Sequence, residues 1–237
     1  MLSIKKILFC IIKFFPKKIS NFIIFFAGCF IYRKSYAQYG EDLIIIEYLK
    51  SKQIRNGTYL DIGGFHPKWI SNTYLLHKQG FSGFIVEPDW EKLKFFNFFR
   101  KGKVHLINAA VSCSKEKYIK FYKFKKNFGF SEIDTSSFKE AEKIKKEKKI
   151  DYITVKVKNF FIDDIFKITG KVNVFNLDVE GIDTELIKNC NFELLDPDLI
   201  MFEEKPNYFV TKEMQKFFES KGYNVLFQSG RTKCFAK

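Results

Sequence analysis

Carboxylates and glycines recur where the apolar runs of this chain end. "YLDIGG" carries Asp61, then Gly63 and Gly64; "FIVEPD" carries Glu87; "HLINAAVS" carries Asn108 and Ala109. "VFNLDVEG" carries Asp178 and Glu180, and "LIMFEE" ends in Glu203 and Glu204. Glycines after a first buried strand let a ligand approach the backbone. An acid after the second strand can accept hydrogen bonds from two ribose hydroxyls. A dinucleotide needs more than this. Phe65, His66 and Pro67 follow Gly64, where a pyrophosphate cradle requires bare backbone. No G-x-x-x-x-G-K-[ST] loop offers a site for a nucleoside triphosphate. A ligand with a ribose and no phosphate fits these residues better. S-adenosylmethionine is such a ligand, and its cationic sulfonium tolerates an acidic rim.

The elements that must position these groups alternate. "SYAQYGEDLIIIEYLK" predicts a helix with Glu41 and Asp42 in its first turn. "GTYLDIGG" predicts a buried strand, and "SNTYLLHKQG" a helix capped by Ser71 or Asn72 and ended by Gly80. "SGFIVEPD" predicts a second strand, Asp89 caps the next helix, and "KVHLINAAVS" reads as one third strand. A less regular insertion covers 113–170, with a strand "YIKFYKF", a Lys-rich helix and a strand "DYITVKV". Strand and helix then alternate again through "KVNVFNLDVEG", "DTELIKNC", "DLIMFEE" and "TKEMQKFFESKG"; "YNVLFQ" and "TKCFAK" close as an antiparallel pair. Alternation of this kind predicts a doubly wound, mostly parallel sheet, with its ligand site outside the carboxyl ends of the strands at the switch point. Asp178 is therefore expected beside the strand that holds Asp61.

Five segments, "SYAQYGEDLII", "YLDIGGFHP", "SNTYLLHKQGFSGFIVEPD", "NAAVS" and "NLDVEGIDTELI", occur in this order. Together they resemble the FkbM-type S-adenosylmethionine-dependent methyltransferases over roughly residues 35–204. The resemblance implies a class I methyltransferase (Rossmann-like) fold with a seven-stranded sheet. It also implies methyl transfer to oxygen of a small molecule, sugar or glycan. By that resemblance Asp61, Gly63 and Gly64 form the loop against the methionine part of the cofactor, and Glu87 holds the ribose. Asn108 and Ala109 lie near the adenine. Gln38, Tyr39, Gly40 and Glu41 match the family's opening segment and would help close the site. Asp178 and Glu180 match its "DVEG" motif and stand nearest the chemistry. The loop departs from the commoner alanine-and-glycine form at Gly64, His66 and Pro67.

Each residue also has a plainer reading. Asp178 could tie a loop to backbone N–H groups, and Glu180 could pair with a lysine. His66 could be a general base near neutral pH, or could shape its loop. Ser71, Asn72 and Thr73 could cap a helix or touch a ligand, and Glu203 could serve the acceptor or end a solvated strand. Three functions are therefore in view: an O-methyltransferase, a methyltransferase acting on nucleic acid or protein, and a non-catalytic cofactor-binding scaffold.

With 237 residues, 46% of them hydrophobic, the chain has enough apolar material for one domain with a large core. Lys and Arg number 41 against 27 Asp and Glu, a net charge of +14 that favours anionic partners. The lysines are spread, though, and the densest run, 138–150, is interrupted by glutamates as in a solvated helix. No arginine-rich segment or zinc-finger spacing appears, so no specific nucleic-acid partner is expected. Cys10, Cys29, Cys113, Cys190 and Cys234 form no C-x-x-C, which fits a reducing, cytoplasmic compartment and no protein-built transition-metal site. Residues 1–34 form an apolar, lysine-broken arm ahead of a domain at 35–237. Three arrangements are open to it: in the plane of an acidic membrane at the cytoplasmic face, packed on the domain or a second subunit, or across the membrane.

Overall fold

The computed structural model describes residue 19 and residues 34–124, 131, 133–204 and 209–237. The arm at 1–34, apart from Ile19 and Lys34, lies outside the described residues. No described helix is long and apolar enough to cross a membrane.

The elements run α1 (Glu41–Ser51), β1 (Thr58–Ile62), α2 (Tyr74–Lys78), β2 (Ser82–Val86), α3 (Trp90–Phe99), β3 (Val104–Ile107) and β4 (Ala110–Ser112). There follow β5 (Tyr118–Phe124), α4 (Phe138–Lys148), β6 (Tyr152–Phe161), α5 (Ile162–Thr169), β7 (Val174–Leu177) and α6 (Asp183–Asn189). Last come α7 (Phe192–Leu195), β8 (Leu199–Glu203), α8 (Lys212–Glu219), β9 (Asn224–Ser229) and β10 (Thr232–Ala236). Seven strands make one sheet in the order β3-β2-β1-β7-β8-β10-β9. The pairs from β3 to β8 are parallel, and β10 runs antiparallel to both β8 and β9. This is the expected doubly wound sheet with an antiparallel C-terminal strand pair.

The central strands read as near-continuous apolar runs because helices cover both faces. Successive side chains alternate between those faces. Leu60 and Ile62 of β1, with Phe175 and Leu177 of β7, pack with residues of α5 to α8 in one cluster. Tyr59 and Val174 pack with residues of α1, α2 and α3 in another. Asp61 and Asn176 are register partners and continue the Tyr59 and Val174 side. Two polar groups thus enter an apolar layer side by side, and each must find a partner there.

The chain leaves β1 for β2 and β3 on one side and returns for β7 on the other. The switch point lies between β1 and β7, where Asp178 N donates to Ile62 O at 2.9 Å. Asp178 stands beside the strand holding Asp61, as the alternation predicts.

One element differs from the sequence expectation. "KVHLINAAVS" is two strands, not one. Asn108 and Ala109 break it, and β4 leaves the main sheet to pair with β6. The insertion holds the expected strand, helix and strand as β5, α4 and β6; β5 and β6 join β4 in a second sheet, β4-β6-β5, with α4 packed through Ala141 and Ile144 on Tyr122 and Phe124. Its last part, α5, belongs to the main core, with Ile162, Ile165 and Phe166 fully buried.

Candidate active site

Two clefts open at the carboxyl ends of β1, β2 and β7. The first, of about 60 Å³, is lined by Gly63, Glu87, Ala109, Val111, Phe121 and Asp134 among others. The second, of about 340 Å³, is lined by Gln38, Asp61, Gly64, His66, Asn72, Glu203 and Arg231 among others. Gly63, Phe65, Asp178 and Glu180 line both, so the clefts meet at these four residues. The insertion contributes Phe121 and Asp134 to the first and Ile133 and Lys148 to the second.

Glu87 follows β2 and is buried. Its Oε1 accepts from Asp89 N at 2.8 Å, and Lys92 Nζ lies 3.9 Å away. Burial pushes the Glu87 carboxyl up to about 7, against the pull of Lys92 and the Asp89 amide. Burial alone would lower the Lys92 ammonium, but Glu87, Asp134 and Asp89 outweigh it and raise it. Lys92 bonds Asp134 at 3.0 Å and so ties the insertion to the turn that holds Glu87. The Asn108 amide donates to Glu87 O and Pro88 O, at 2.9 and 3.0 Å. It holds the turn under Glu87 and lines neither cleft.

Asp61 is locked from beneath. It accepts from Thr73 Oγ1 and, at 2.9 Å, from Asn176 Nδ2. Buried Arg100 supports this network. Its guanidinium donates to Thr73 Oγ1 at 2.9 Å, Ser71 Oγ at 2.6 Å, Tyr59 OH at 3.2 Å and Pro67 O at 2.8 Å. One planar fork therefore fixes residues 67–73 against β1. Ser71 Oγ also accepts from the Thr73 and Tyr74 amides, as a helix-start residue does.

The glycines have a different reason than ligand approach alone. Gly63 sits at φ 90°, and a Cβ there would overlap the Asp178 carbonyl oxygen. A Cβ on Gly64 would stand 2.6 Å from Ile85 Cγ2. Close packing of β7 and β2 against the loop excludes side chains at both positions.

His66 is buried, and its Nδ1 accepts from Trp69 N at 2.7 Å and Lys68 N at 3.0 Å. That nitrogen shapes the loop, which leaves it no lone pair for a substrate proton. The opening segment divides likewise. Gln38 lines the second cleft. Gly40, at φ 92°, starts α1, and buried Glu41 accepts from Tyr39 N at 2.7 Å. Gly40 and Glu41 line neither cleft; they anchor the segment.

The "DVEG" turn holds Asp178 and Glu180 in place. Glu180 is at φ 58°, a left-handed conformation that costs a side-chain-bearing residue about 1 kcal/mol or more. Asp183 supports it by accepting from Val179 N at 2.9 Å and Gly181 N at 3.1 Å. Thr135 Oγ1 adds a 2.5 Å bond to Glu180 O. Asp183 thus ties this turn through its backbone amides. Burial raises the Asp183 carboxyl to about 7, and the Glu203 and Glu180 carboxylates push the same way. Carboxylate oxygens of Asp178, Glu180 and Glu203 lie within 4.8 Å of one another. They are the residues among those described that could hold a metal ion, and an oxygen-only set suits a hard divalent cation.

The family described as "Methyltransferase FkbM domain" matches residues 61–225. The chain belongs to the FkbM methyltransferase family. It is a methyltransferase, and S-adenosylmethionine is its methyl donor. The lining of the first cleft has chemistry that suits that donor: the buried Glu87 carboxylate can accept from a ribose diol, and Ala109, Val111 and Phe121 beside it are apolar enough for an adenine. No curated protein matches the chain. Three solved structures are similar to this FkbM-family chain. A TehB-like SAM-dependent methyltransferase from Corynebacterium glutamicum ATCC 13032 Kitasato is 11% identical, over 84% of this chain and 88% of that one, with a TM-score of 0.38. Precorrin-6y C5,15-methyltransferase from Geobacter metallireducens GS-15 is 12% identical, over 88% and 94%, with a TM-score of 0.40. A SAM-dependent methyltransferase from Agrobacterium tumefaciens is 10% identical, over 83% and 61%, with a TM-score of 0.41.

Sequence reasoning missed Arg100, Asn176, Thr135 and the loop-holding role of Asp183. Only Asp183 left a signal, a carboxylate two residues after the glycine of "DVEG".

Proposed function

We propose that this methyltransferase acts on a hydroxyl oxygen of a small molecule, sugar or glycan, and that Asp178 accepts the hydroxyl proton. The observation that carries the reading is the junction of the two clefts at Asp178. One cleft suits adenosine; the other is larger and lined by Gln38, Asn72, Asn176, Glu203 and Arg231. Amides, acids and a guanidinium together suit a polyhydroxylated acceptor. S-adenosylmethionine supplies an electrophilic methyl carbon on a sulfonium.

Glu87 holds the ribose side, and the Gly63–Phe65 loop separates donor from acceptor. The second cleft orients the acceptor hydroxyl, and orientation supplies much of the rate. Asp178, held by Asp183 through its turn, takes the proton as the oxygen becomes a nucleophile. His66 keeps the loop in shape. Buried Cys190 and Cys234, both free thiols, accord with a cytoplasmic site of action.

The test is labelled-methyl incorporation from S-adenosylmethionine into cell extract, sorted by acceptor size. Label confined to protein or nucleic acid would overturn the acceptor class. With an acceptor found, Asp178→Asn should slow single-turnover transfer by roughly 10²- to 10⁴-fold while leaving cofactor affinity within about twofold. A rate within about threefold of wild type removes Asp178 as the base.

A further inference from the structure

The β5–β6 hairpin has two unlike faces. Phe121 lines the donor cleft, and Lys123 on the same side bonds Asp89 at 2.7 Å. The opposite face is set by register, since cross-strand partners share a face. It carries Tyr118 opposite Lys158, Lys120 opposite Lys156, Tyr122 opposite Thr154, and Phe124 opposite Tyr152. Helix α4 covers the Tyr122 and Phe124 end. The other end is open, with Tyr118, Lys120, Thr154, Lys156 and Lys158 all exposed.

The charged residues of this open half are Lys120, Lys156 and Lys158; Glu116 and Glu185 line a groove that Lys120 edges. Lys120 and Lys156 stand directly opposite each other, a like-charge pair that destabilises a sheet. Neither they nor Lys117 and Lys158 enter an ion pair among the described residues. Two exposed aromatic rings border the lysines. Tyr118 is 44% exposed, and Phe138, whose ring lies 5.8 Å from that of Tyr122, is 58% exposed.

We propose that this face docks the protein on a bilayer surface that carries anionic lipids. Charge complementarity selects an anionic partner, and the details select lipid over nucleic acid. The cluster holds lysines and no arginine, so it lacks the fork that reads phosphates and bases bidentately. Lys117 and Lys156 lie over the Tyr118 ring, with Nζ at 5.7 and 5.2 Å from its centroid, which takes up the face a base would stack on. Point-charge ammonium groups around protruding aromatic rings suit headgroups at an interface. The hairpin's inner face lines the donor cleft, so docking sets the catalytic domain against the membrane. The acceptor class this favours is a lipid-linked glycan. That last step rests on the glycan reading above; the docking itself does not.

The test uses the full chain and vesicles of phosphatidylcholine with or without about 30% phosphatidylglycerol, read by co-sedimentation. The wild type should bind the anionic vesicles and release in high salt. Lys120→Gln, Lys156→Gln and Lys158→Gln together should weaken this by about a hundredfold, at roughly fivefold per lysine near an anionic surface. The substitutions relieve a repulsion, so Tm should hold or rise, and S-adenosylmethionine affinity should stay within twofold. A charge-matched control, Lys212→Gln, Lys216→Gln and Lys221→Gln on and beyond α8, should bind almost as wild type. Equal loss in both variants would mean a net-charge effect and overturn the site. Unchanged binding in the first variant, or preferential binding of a 20-nucleotide RNA over vesicles, would overturn it too. Label incorporation into acceptors without vesicle binding leaves the glycan reading standing and removes this one.

Discussion

Cofactor affinity should depend on the ionisation of Glu87, and the size of the effect follows from its burial. The carboxyl is raised from 4.5 to about 7, with desolvation as the largest cause. A carboxyl raised on folding favours the folded state while protonated. Its contribution is complete below the unfolded value of 4.5 and is lost as pH rises through about 7. The carboxylate is therefore held at a cost, and hydroxyl donors of a ribose lower it. If the complex needs the carboxylate, affinity falls about tenfold between about pH 8 and pH 6, and about one proton is released on binding near pH 6. The ligand's own amino group titrates near 7.7–8.0, so raw affinities mix two groups. Glu87→Gln separates them. The ratio of wild-type to variant affinity should rise about tenfold from pH 6 to pH 8, and the variant should bind about 1–3 kcal/mol more weakly at the upper end. Calorimetry in two buffers of different ionisation enthalpy measures both the affinity and the proton count. A ratio constant within about twofold across this range, with equal proton counts, would refute the ribose role.

Two further perturbations test the supports. Asp183→Ala leaves the Val179 and Gly181 amides without their acceptor; urea melts should show a loss of about 1–3 kcal/mol, and transfer should slow with cofactor affinity little changed. Arg100→Lys keeps the charge but loses the fork that joins Ser71, Thr73, Tyr59 and Pro67. A loss of about 1.5–3 kcal/mol in the same melts is expected, and an unchanged midpoint would show that the network carries no stability.

The parallel sheet, its antiparallel end and the acids at the strand ends were legible because each is local. An apolar run, an acid and a glycine turn lie within a few residues of one another. The network under Asp61 was not legible, because Asn176 lies 115 residues away and Arg100 reaches Thr73 over 27. The break at Asn108 was hidden by an apolar pattern that continues unbroken into β4. The pattern records apolar character and not which sheet a strand joins: Val111 is buried in β4, whereas Val104, Leu106 and Ile107 are half-buried in β3. For His66 the sequence left two roles open, and the two amides at Nδ1 supply the loop-shaping one.

Gly63 is pressed on the carbonyl of Asp178, so main chain meets main chain between the donor loop and the acid across from it. The span between the glycine loop and the Asp178 turn, where the two clefts meet, is accordingly a dimension of the backbone. No side chain stands in that gap to be exchanged for a longer or shorter one. Side chains set the cleft beside it instead: Ile133 and Lys148 from the insertion and Arg231 from the β9–β10 turn line the second cleft, the one proposed for the acceptor.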